Sequence, residues 1–142
     1  MINPTLEFLY GLHNRGIKLG LKNIESFLKI CGDPHSKIKT IHLAGTNGKG
    51  STSSIIAKIL QENGYKVGLY TSPHLINFNE RIRIDGVPIS EQDIIEFVEK
   101  HKKTLIDSSI TFFEATTALA FKYFAKQNVD IAIIETGLGG RL

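Results

Sequence analysis

The spacing of apolar residues along the chain predicts helices that alternate with strands. A short first helix is indicated by Leu6, Phe8, Leu9 and Leu12. A second helix is indicated by apolar positions that recur every three or four residues, namely Leu21, Ile24, Phe27, Leu28 and Cys31. Gly32 follows as a typical C-terminal cap, and Asp33 with Pro34 should end the helix there.

The next part of the chain fits a strand, a helix and a strand in succession. Residues 38–44 form a short apolar stretch that leads into a glycine cluster, which is typical of a strand that feeds a loop. Residues 51–63 indicate a helix, and residues 65–70 a second strand whose inward side chains should be Val67 and Leu69. This order is a βαβ unit, which favours a parallel sheet covered by helices.

A hairpin and a helix are predicted next. Residues 81–84 alternate charged and apolar side chains before Asp85-Gly86, a turn signal, so a small hairpin or edge strand is expected here. Ser90 and Asp93 resemble a capping box that opens a helix. The apolar positions of that helix are Ile94, Ile95, Phe97 and Val98.

The last predicted elements are a helix over 113–126 and a strand over 129–135. The strand is almost wholly apolar, as expected of a parallel strand with both faces covered. The fold class predicted by the whole pattern is α/β, with a mostly parallel sheet flanked by helices. A glycine-rich loop, 136–142, follows this strand directly, and we expect the domain to be incomplete at its C-terminus.

Composition adds limits to this picture. The 142 residues are 42% hydrophobic and 22% charged, the balance of a globular domain. Lysines and arginines are scattered despite the net charge of +3, so no nucleic-acid partner is expected. No apolar run approaches the roughly 20 residues of a membrane span, and the start does not resemble a signal peptide, so no membrane partner and a cytoplasmic location are expected. The single cysteine, Cys31, should be a buried structural thiol.

The strongest chemical signal is a glycine-rich segment between a predicted strand and a predicted helix. It comprises Gly45, Thr46, Asn47, Gly48, Lys49, Gly50 and Ser51. Glycines let successive N–H groups face one concavity, and the helix adds its positive dipole end, so a triphosphate can be bound by main chain. Lys49 would reach the β and γ phosphates, and Ser51 would place a hydroxyl on magnesium.

This loop is a variant of the common phosphate-binding pattern. Position 43 is leucine, and Gly50 separates the lysine from the serine, so G-x-x-x-x-G-K-[ST] is not satisfied. A strand-to-helix turn without a ligand is the alternative. The combination of glycines, lysine and hydroxyl favours a site for ATP and Mg²⁺.

Five segments in order resemble the folylpolyglutamate synthase and dihydrofolate synthase family, relatives of the Mur ligases. They are GTNGKGS, YTSPHL, NERIRIDG, TFFE and ETGLGGRL. The resemblance spans nearly the whole chain, and Gly50 favours the folate branch over other Mur-type ligases. It implies that residues 1–142 are a truncated, P-loop NTPase-like ATP-binding domain of the Mur ligase central-domain type. A C-terminal glutamate-binding domain would be absent from this chain, and the isolated fragment would be inactive.

The resemblance also implies the chemistry. Such ligases phosphorylate a carboxylate with ATP and then form an amide with the amine of L-glutamate, and the protein mainly positions the groups and neutralises charge. Ser72 and Glu135 match positions that bind magnesium in the family, and with Ser51 of the loop they are the expected metal ligands. Ser72 has an equal alternative as a turn residue before Pro73. Glu135 ends an apolar strand, where a carboxylate without a function would need a buried partner.

The pterin-binding segment of the family resembles Thr111, Phe112, Phe113 and Glu114. Phe113 is the candidate to stack on the heterocycle. Without the resemblance, both phenylalanines would be interpreted as core residues at a helix start, and the glutamate as a partner of the helix dipole. His13, in a short segment that resembles a pteroate-contacting stretch, is a further candidate with a structural alternative. Arg81 could pair with a carboxylate or phosphate or be a solvated hairpin charge.

The expected function is therefore an ATP-dependent ligase that adds L-glutamate to folate, to dihydropteroate, or to both. The expected partners are these small molecules and ATP, and a monomer is expected. A Mur-type or other amide ligase with a different acceptor is one alternative. A non-catalytic nucleotide-binding module is another.

Overall fold

The computed structural model describes residues 2–12, 22–44, 49–72 and 77–136. The helices are α1 (Ile2–Gly11), α2 (Lys22–Ile30), α3 (Lys49–Glu62), α4 (Glu91–Asp107) and α5 (Phe112–Lys126). The strands are β1 (Lys39–Ala44), β2 (Val67–Tyr70), β3 (Ile82–Ile84), β4 (Val87–Pro88) and β5 (Ile131–Thr136). Short 3-10 turns cover Pro34–Lys37 and Phe78–Arg81. Every predicted helix and strand is present, and no end is shifted by more than four residues.

The strands form one sheet in the order β1-β5-β2-β3-β4. The last strand, β5, pairs in parallel with β1 and with β2, and these are the longer pairings. The hairpin of β3 and β4 continues the sheet in antiparallel order. Because β1, β5 and β2 are parallel, their carboxyl ends meet at one edge, which we name the carboxyl edge. The predicted α/β class is confirmed.

Helices cover both faces of the sheet. Tyr70 of β2 donates or accepts a hydrogen bond with Thr117 of α5 at 3.2 Å, so α5 lies on the face to which Tyr70 points. Side chains alternate along a strand, and Glu135 points to the other face, where α3 lies. The interior of β5 is fully covered, with Ala132 and Ile133 at 0% exposure. This confirms the prediction of a parallel strand buried on both sides.

The hairpin was predicted because of its turn. Asp85 and Gly86 have φ angles of 49° and 83°, the left-handed geometry that a two-residue hairpin turn requires. Ser90 caps α4, since its hydroxyl accepts a hydrogen bond from the Asp93 amide at 3.1 Å.

Among the described residues, no helix combines the length and the apolar character needed to cross a bilayer.

One prediction about the core was wrong. Val67 is buried as expected, but Leu69 is only half-buried, whereas Gly68 and Tyr70 are fully buried. Gly68 and Tyr70 are buried because α5 packs against their face, which the alternation rule assigned to the outside. A strand with helices on both faces has no outward side, and sequence alternation cannot reveal that.

Candidate functional site

The end of β1, from which the predicted phosphate loop continues, lies at the carboxyl edge with the ends of β2 and β5. The loop connects Ala44, the last residue of β1, to Lys49, the first residue of α3. Helix α3 therefore begins two residues earlier than predicted, and its first turn starts directly after the loop. The amide groups of a first turn have no partner within the helix, so this end can bind an anion.

Much of the predicted nucleotide site cannot be compared with the structure. Residues 45–48, which include Gly45, Thr46, Asn47 and Gly48, lie outside the described residues, as do His13 and His74. The backbone of Lys49, Gly50 and Ser51 forms the start of α3, and their side chains lie outside the description. The roles assigned to these residues therefore stay predictions. The described neighbours supply the geometry that follows.

A buried carboxylate lies at the carboxyl edge. Glu135, near the end of β5, is 5% exposed, and its Oε2 accepts a hydrogen bond from the hydroxyl of Ser53 at 3.1 Å. Ser53 belongs to the second turn of α3 and is completely buried. This contact fixes the carboxylate against the helix that follows the phosphate loop.

Sequence reasoning identified Glu135 but not Ser53. The signal that could have found the serine is the run of four hydroxyl residues, 51–54, at the start of a helix. Ser53 lies two positions after Ser51 in this run. The buried hydroxyl of Ser53 donates its hydrogen bond to the carboxylate of Glu135 on β5.

Ser72 lies at the same edge. The pairing of Tyr70 with Ile134 brings the end of β2 beside the end of β5, so Ser72 follows one strand and Glu135 ends the other. Ser72 is half-buried. Hydroxyl and carboxylate oxygens are ligands that suit Mg²⁺. Among the described residues, no group of three or more His, Cys, Asp or Glu side chains is placed to hold a metal ion. The donor set at this edge fits magnesium.

The segment 111–114 forms the start of α5. The hydroxyl of Thr111 accepts a hydrogen bond from the Glu114 amide at 3.2 Å, and the Glu114 carboxylate accepts one from the Thr111 amide at 3.0 Å. This is a capping box, and it satisfies two amides that the helix leaves unpaired. Both residues are buried, with 3% and 5% exposure. Glu114 therefore has the structural role at the helix start that the sequence left as its alternative. Substrate binding by Thr111 or Glu114 stays a prediction.

The two phenylalanines of this segment have different surroundings. Phe112 is 4% exposed and lies against Tyr10 and Phe78, with ring centroids 5.5 and 6.2 Å away. Phe113 is half-buried. A ring that retains exposed surface can still meet a flat ligand, so the predicted stacking role of Phe113 is compatible with its position and stays a prediction.

Arg81 extends this aromatic cluster. Its guanidinium carbon lies 5.2 Å from the ring centroid of Phe112 and 5.9 Å from that of Phe78, a cation–π arrangement. Burial lowers the pKa of Arg81, and the neighbouring hydroxyls of Tyr70 and Tyr10 oppose that shift. The alternative of a solvated hairpin charge is therefore wrong, because the guanidinium is held against rings.

The aromatic cluster belongs to the carboxyl edge. The carbonyl of Arg81 accepts a hydrogen bond at 2.9 Å from the amide of Thr71, the residue that follows β2. One edge of the sheet thus carries a helix start suited to phosphate, a buried carboxylate, and a cation among aromatic rings. This arrangement can hold an anionic phosphate group close to a flat apolar molecule.

The chain was compared with known proteins. No protein family model matches it. It is 44% identical over 141 residues to the dihydrofolate synthase/folylpolyglutamate synthase of Bacillus subtilis, and the match covers 94% of this chain and 33% of that protein. The chain therefore spans about a third of the length of this curated relative.

Solved structures agree with this match. The crystal structure of folylpolyglutamate synthase (FPGS) from Thermotoga maritima superposes with a TM-score of 0.87 at 47% identity, over 98% of this chain and 34% of that one. An FPGS–AMPPCP–folate complex superposes with a TM-score of 0.81 at 38% identity, over 96% of this chain and 36% of that one. The similarity therefore holds for sequence and fold together, over nearly the whole chain.

Proposed function

Because this chain belongs to the folylpolyglutamate synthase and dihydrofolate synthase family, we propose that it is the ATP-binding part of a ligase. The reaction is the ATP-dependent addition of L-glutamate to a folate, to dihydropteroate, or to both. The solved relative bound to AMPPCP and folate supports both ligand classes. Residues 1–142 form the ATP-binding domain in this proposal, the glutamate-binding domain lies elsewhere in the protein, and the reaction takes place in the cytoplasm.

The observation that carries the proposal is the contact of Ser53 with Glu135. It joins the end of β5 to the helix that follows the phosphate loop, at 3.1 Å and with both side chains buried. A carboxylate is costly to bury unless it is paired or serves a ligand. Its position beside a phosphate-binding helix start supports a role in nucleotide and metal binding.

The proposed chemistry begins with the γ-phosphoryl group. A carboxylate oxygen of the folate substrate attacks the γ-phosphorus of ATP, ADP leaves, and an acyl phosphate forms. The deprotonated amine of glutamate then attacks the acyl carbon and expels phosphate, which leaves an amide. The loop amides and Lys49 hold the triphosphate during the first step, and their contribution is positioning and charge neutralisation.

Ser51, Ser72 and Glu135 would hold magnesium through their oxygen atoms, and the ion would supply positive charge that offsets repulsion between the substrate carboxylate and the triphosphate. Ser53 keeps the carboxylate of Glu135 in one orientation through its hydrogen bond. On the substrate side, the half-buried Phe113 stacks on the pterin, and Arg81 in the aromatic cluster lies within the same edge.

The test of the proposal is ADP release by the protein as its gene encodes it. ADP should form only when ATP, L-glutamate and either a folate or dihydropteroate are all present, with a glutamylated product detected by mass spectrometry. ADP release with a different carboxylic acid and no folate would instead identify another amide ligase. Nucleotide binding without turnover under any of these conditions would identify a non-catalytic module. Either result would overturn the proposal.

The nucleotide site itself is tested by Lys49→Ala. Loss of the ammonium group should abolish measurable ATP binding in calorimetry and leave the unfolding temperature unchanged. Lys58→Ala is the matched control, since Lys58 lies on the same helix with a side chain 69% exposed and pairs only weakly with Glu62 at 4.0 Å. Unchanged ATP affinity in the Lys49 variant would contradict the assignment.

A further inference from the structure

A cavity lies between the segment 31–37, which follows α2, and the helices α4 and α5, away from the carboxyl edge. Its volume is about 440 Å³, which falls within the range of small-molecule sites. Its lining includes apolar and aromatic side chains, of which Phe97, Leu119 and Tyr123 are three. It also includes four lysines, which are Lys37, Lys100, Lys122 and Lys126. We name it the lysine cavity.

The lysine cavity is at the far end of the sheet from the candidate nucleotide site. Helix α5 starts near the carboxyl edge, where Phe112 contacts Arg81. It ends at the opposite edge, where the Gln127 carbonyl accepts a hydrogen bond from Lys66, just before β2. Its 15 residues span about 22 Å. Lys122 and Lys126 lie in the last part of this length, so a ligand here would not overlap the nucleotide.

The rim of the cavity carries excess positive charge. Lys126 is neutralised by Asp93 at 3.3 Å and by Glu96 at 3.7 Å. The ammonium group of Lys122 donates to the carbonyl of Cys31 at 3.1 Å. Within the described part of the chain, Lys37, Lys100 and Lys122 form no ion pair with a carboxylate. Asp93 and Glu96 also line the cavity, so its four lysines and two acids leave a net charge of +2, and three of the ammonium groups remain outside the ion pairs of the described residues.

The floor of the cavity is uncharged at neutral pH. Cys31 and His101 lie together there, with Sγ 3.8 Å from Nε2, and Phe97 packs on the imidazole with centroids 4.8 Å apart. Burial raises the pKa of the Cys31 thiol to about 11. Burial and the ammonium groups of Lys100 and Lys122 lower the pKa of His101. The lysines of the rim therefore disfavour the protonated form of the His101 imidazole.

We propose that the lysine cavity binds a small organic anion with at least two negative charges and a flat apolar body. The three ammonium groups would bind the charged groups, and the floor around Phe97 and Leu119 would bind the apolar body. This site is separate from the proposed ligase site. Its occupant would stabilise the packing of α4 on α5, because both helices line the cavity.

The probe for the test is naphthalene-1,5-disulfonate, a dianion whose charge does not vary with pH. Binding is measured by calorimetry on the protein as its gene encodes it, with saturating ADP present. We expect saturable binding of one equivalent that ADP does not displace. Ethane-1,2-disulfonate, which carries the charges without the ring, should bind at least about tenfold more weakly because it cannot cover the floor.

Two variants separate a built site from general attraction to positive charge. The double variant Lys37→Gln/Lys100→Gln should weaken binding of the aromatic probe roughly tenfold. The control Lys58→Gln/Lys103→Gln removes the same charge from exposed positions outside the cavity and should change affinity less than twofold. In NMR titrations, the bound probe should raise the pKa of His101, since an anion offsets the field of the lysines.

Three results would overturn the proposal. One is the absence of saturable binding, and another is an equal loss of affinity in the two double variants. The third is displacement of the probe by ADP, which would place it in the nucleotide site. Unfolding temperatures of all variants are measured in parallel, and a binding loss in a double variant that unfolds like the unmodified protein supports the site.

Discussion

At the residue scale, the sequence shows which types of side chain form the carboxyl edge, but it does not show which side chains contact each other. Glu135 was identified from sequence because a carboxylate at the end of an apolar strand is costly to bury unless it has a partner or binds a ligand. Its partner Ser53 is 82 residues away, and no local pattern pairs them. Arg81 shows the same limit, because only the structure brings Phe78 and Phe112 beneath its guanidinium.

Ser53→Ala tests the contact with Glu135. The change removes a hydrogen bond to a buried carboxylate oxygen without adding volume, so the free energy of unfolding should fall by about 1 to 3 kcal/mol. Affinity for magnesium–nucleotide should also fall, since the carboxylate loses its fixed orientation. Chemical denaturation and calorimetry measure the two effects.

The control for this variant is Ser54→Ala, because Ser54 is the next residue of α3 and is exposed. It should leave both stability and nucleotide affinity within error of the unmodified protein. Equal behaviour of the two variants would show that the hydrogen bond contributes nothing to the edge.

At the scale of elements, the periodicity of apolar residues was sufficient to predict each helix and strand. The caps were readable because they are local: Ser90 with Asp93, and Gly32 with its φ angle of 95°. The burial of β2 was not readable. Its alternation indicated one covered face, and the packing of α5 against Gly68 covers the other.

Gly68→Ala tests how closely β2 packs on α5. A Cβ at this position would lie 2.8 Å from two atoms of the Phe124 ring, and that ring is fully buried and has little room to move. We expect a loss of about 1 to 3 kcal/mol in the free energy of unfolding, measured by denaturation. The double variant Gly68→Ala/Phe124→Leu should recover part of this loss, because the smaller side chain leaves space.

Gly11→Ala is the control, since no atom lies within 4 Å of its Cβ position and the residue ends α1. It should be neutral or slightly stabilising. If Gly68→Ala proves as stable as this control, the strand and the helix are not in the close contact that the structure describes.

At the scale of the whole molecule, the order of the strands in the sheet is the feature that local sequence patterns do not predict. The first and last strands of the chain are neighbours, with Lys39 opposite Ile131, and this pairing creates the carboxyl edge. Local patterns give the strands and their approximate ends, whereas their order follows from packing between distant segments. The resemblance to a family supplied a prediction that local patterns could not, namely that the phosphate loop and Glu135 belong to one site.

The stability of the molecule should depend on pH above 9 because the interior holds a protonated thiol. Burial raises the pKa of Cys31 from 9.0 to about 11, so between these values the unfolded chain releases the thiol proton and the folded chain retains it. The folded state therefore loses stability as pH rises through this window, by roughly 1 to 2 kcal/mol between pH 8.5 and 10.5. Cys31→Ala removes this contribution, so its free energy of unfolding, measured by denaturation at a series of pH values, should fall less steeply. Parallel pH profiles for the variant and the unmodified protein would mean that Cys31 titrates alike in both states, contrary to its burial.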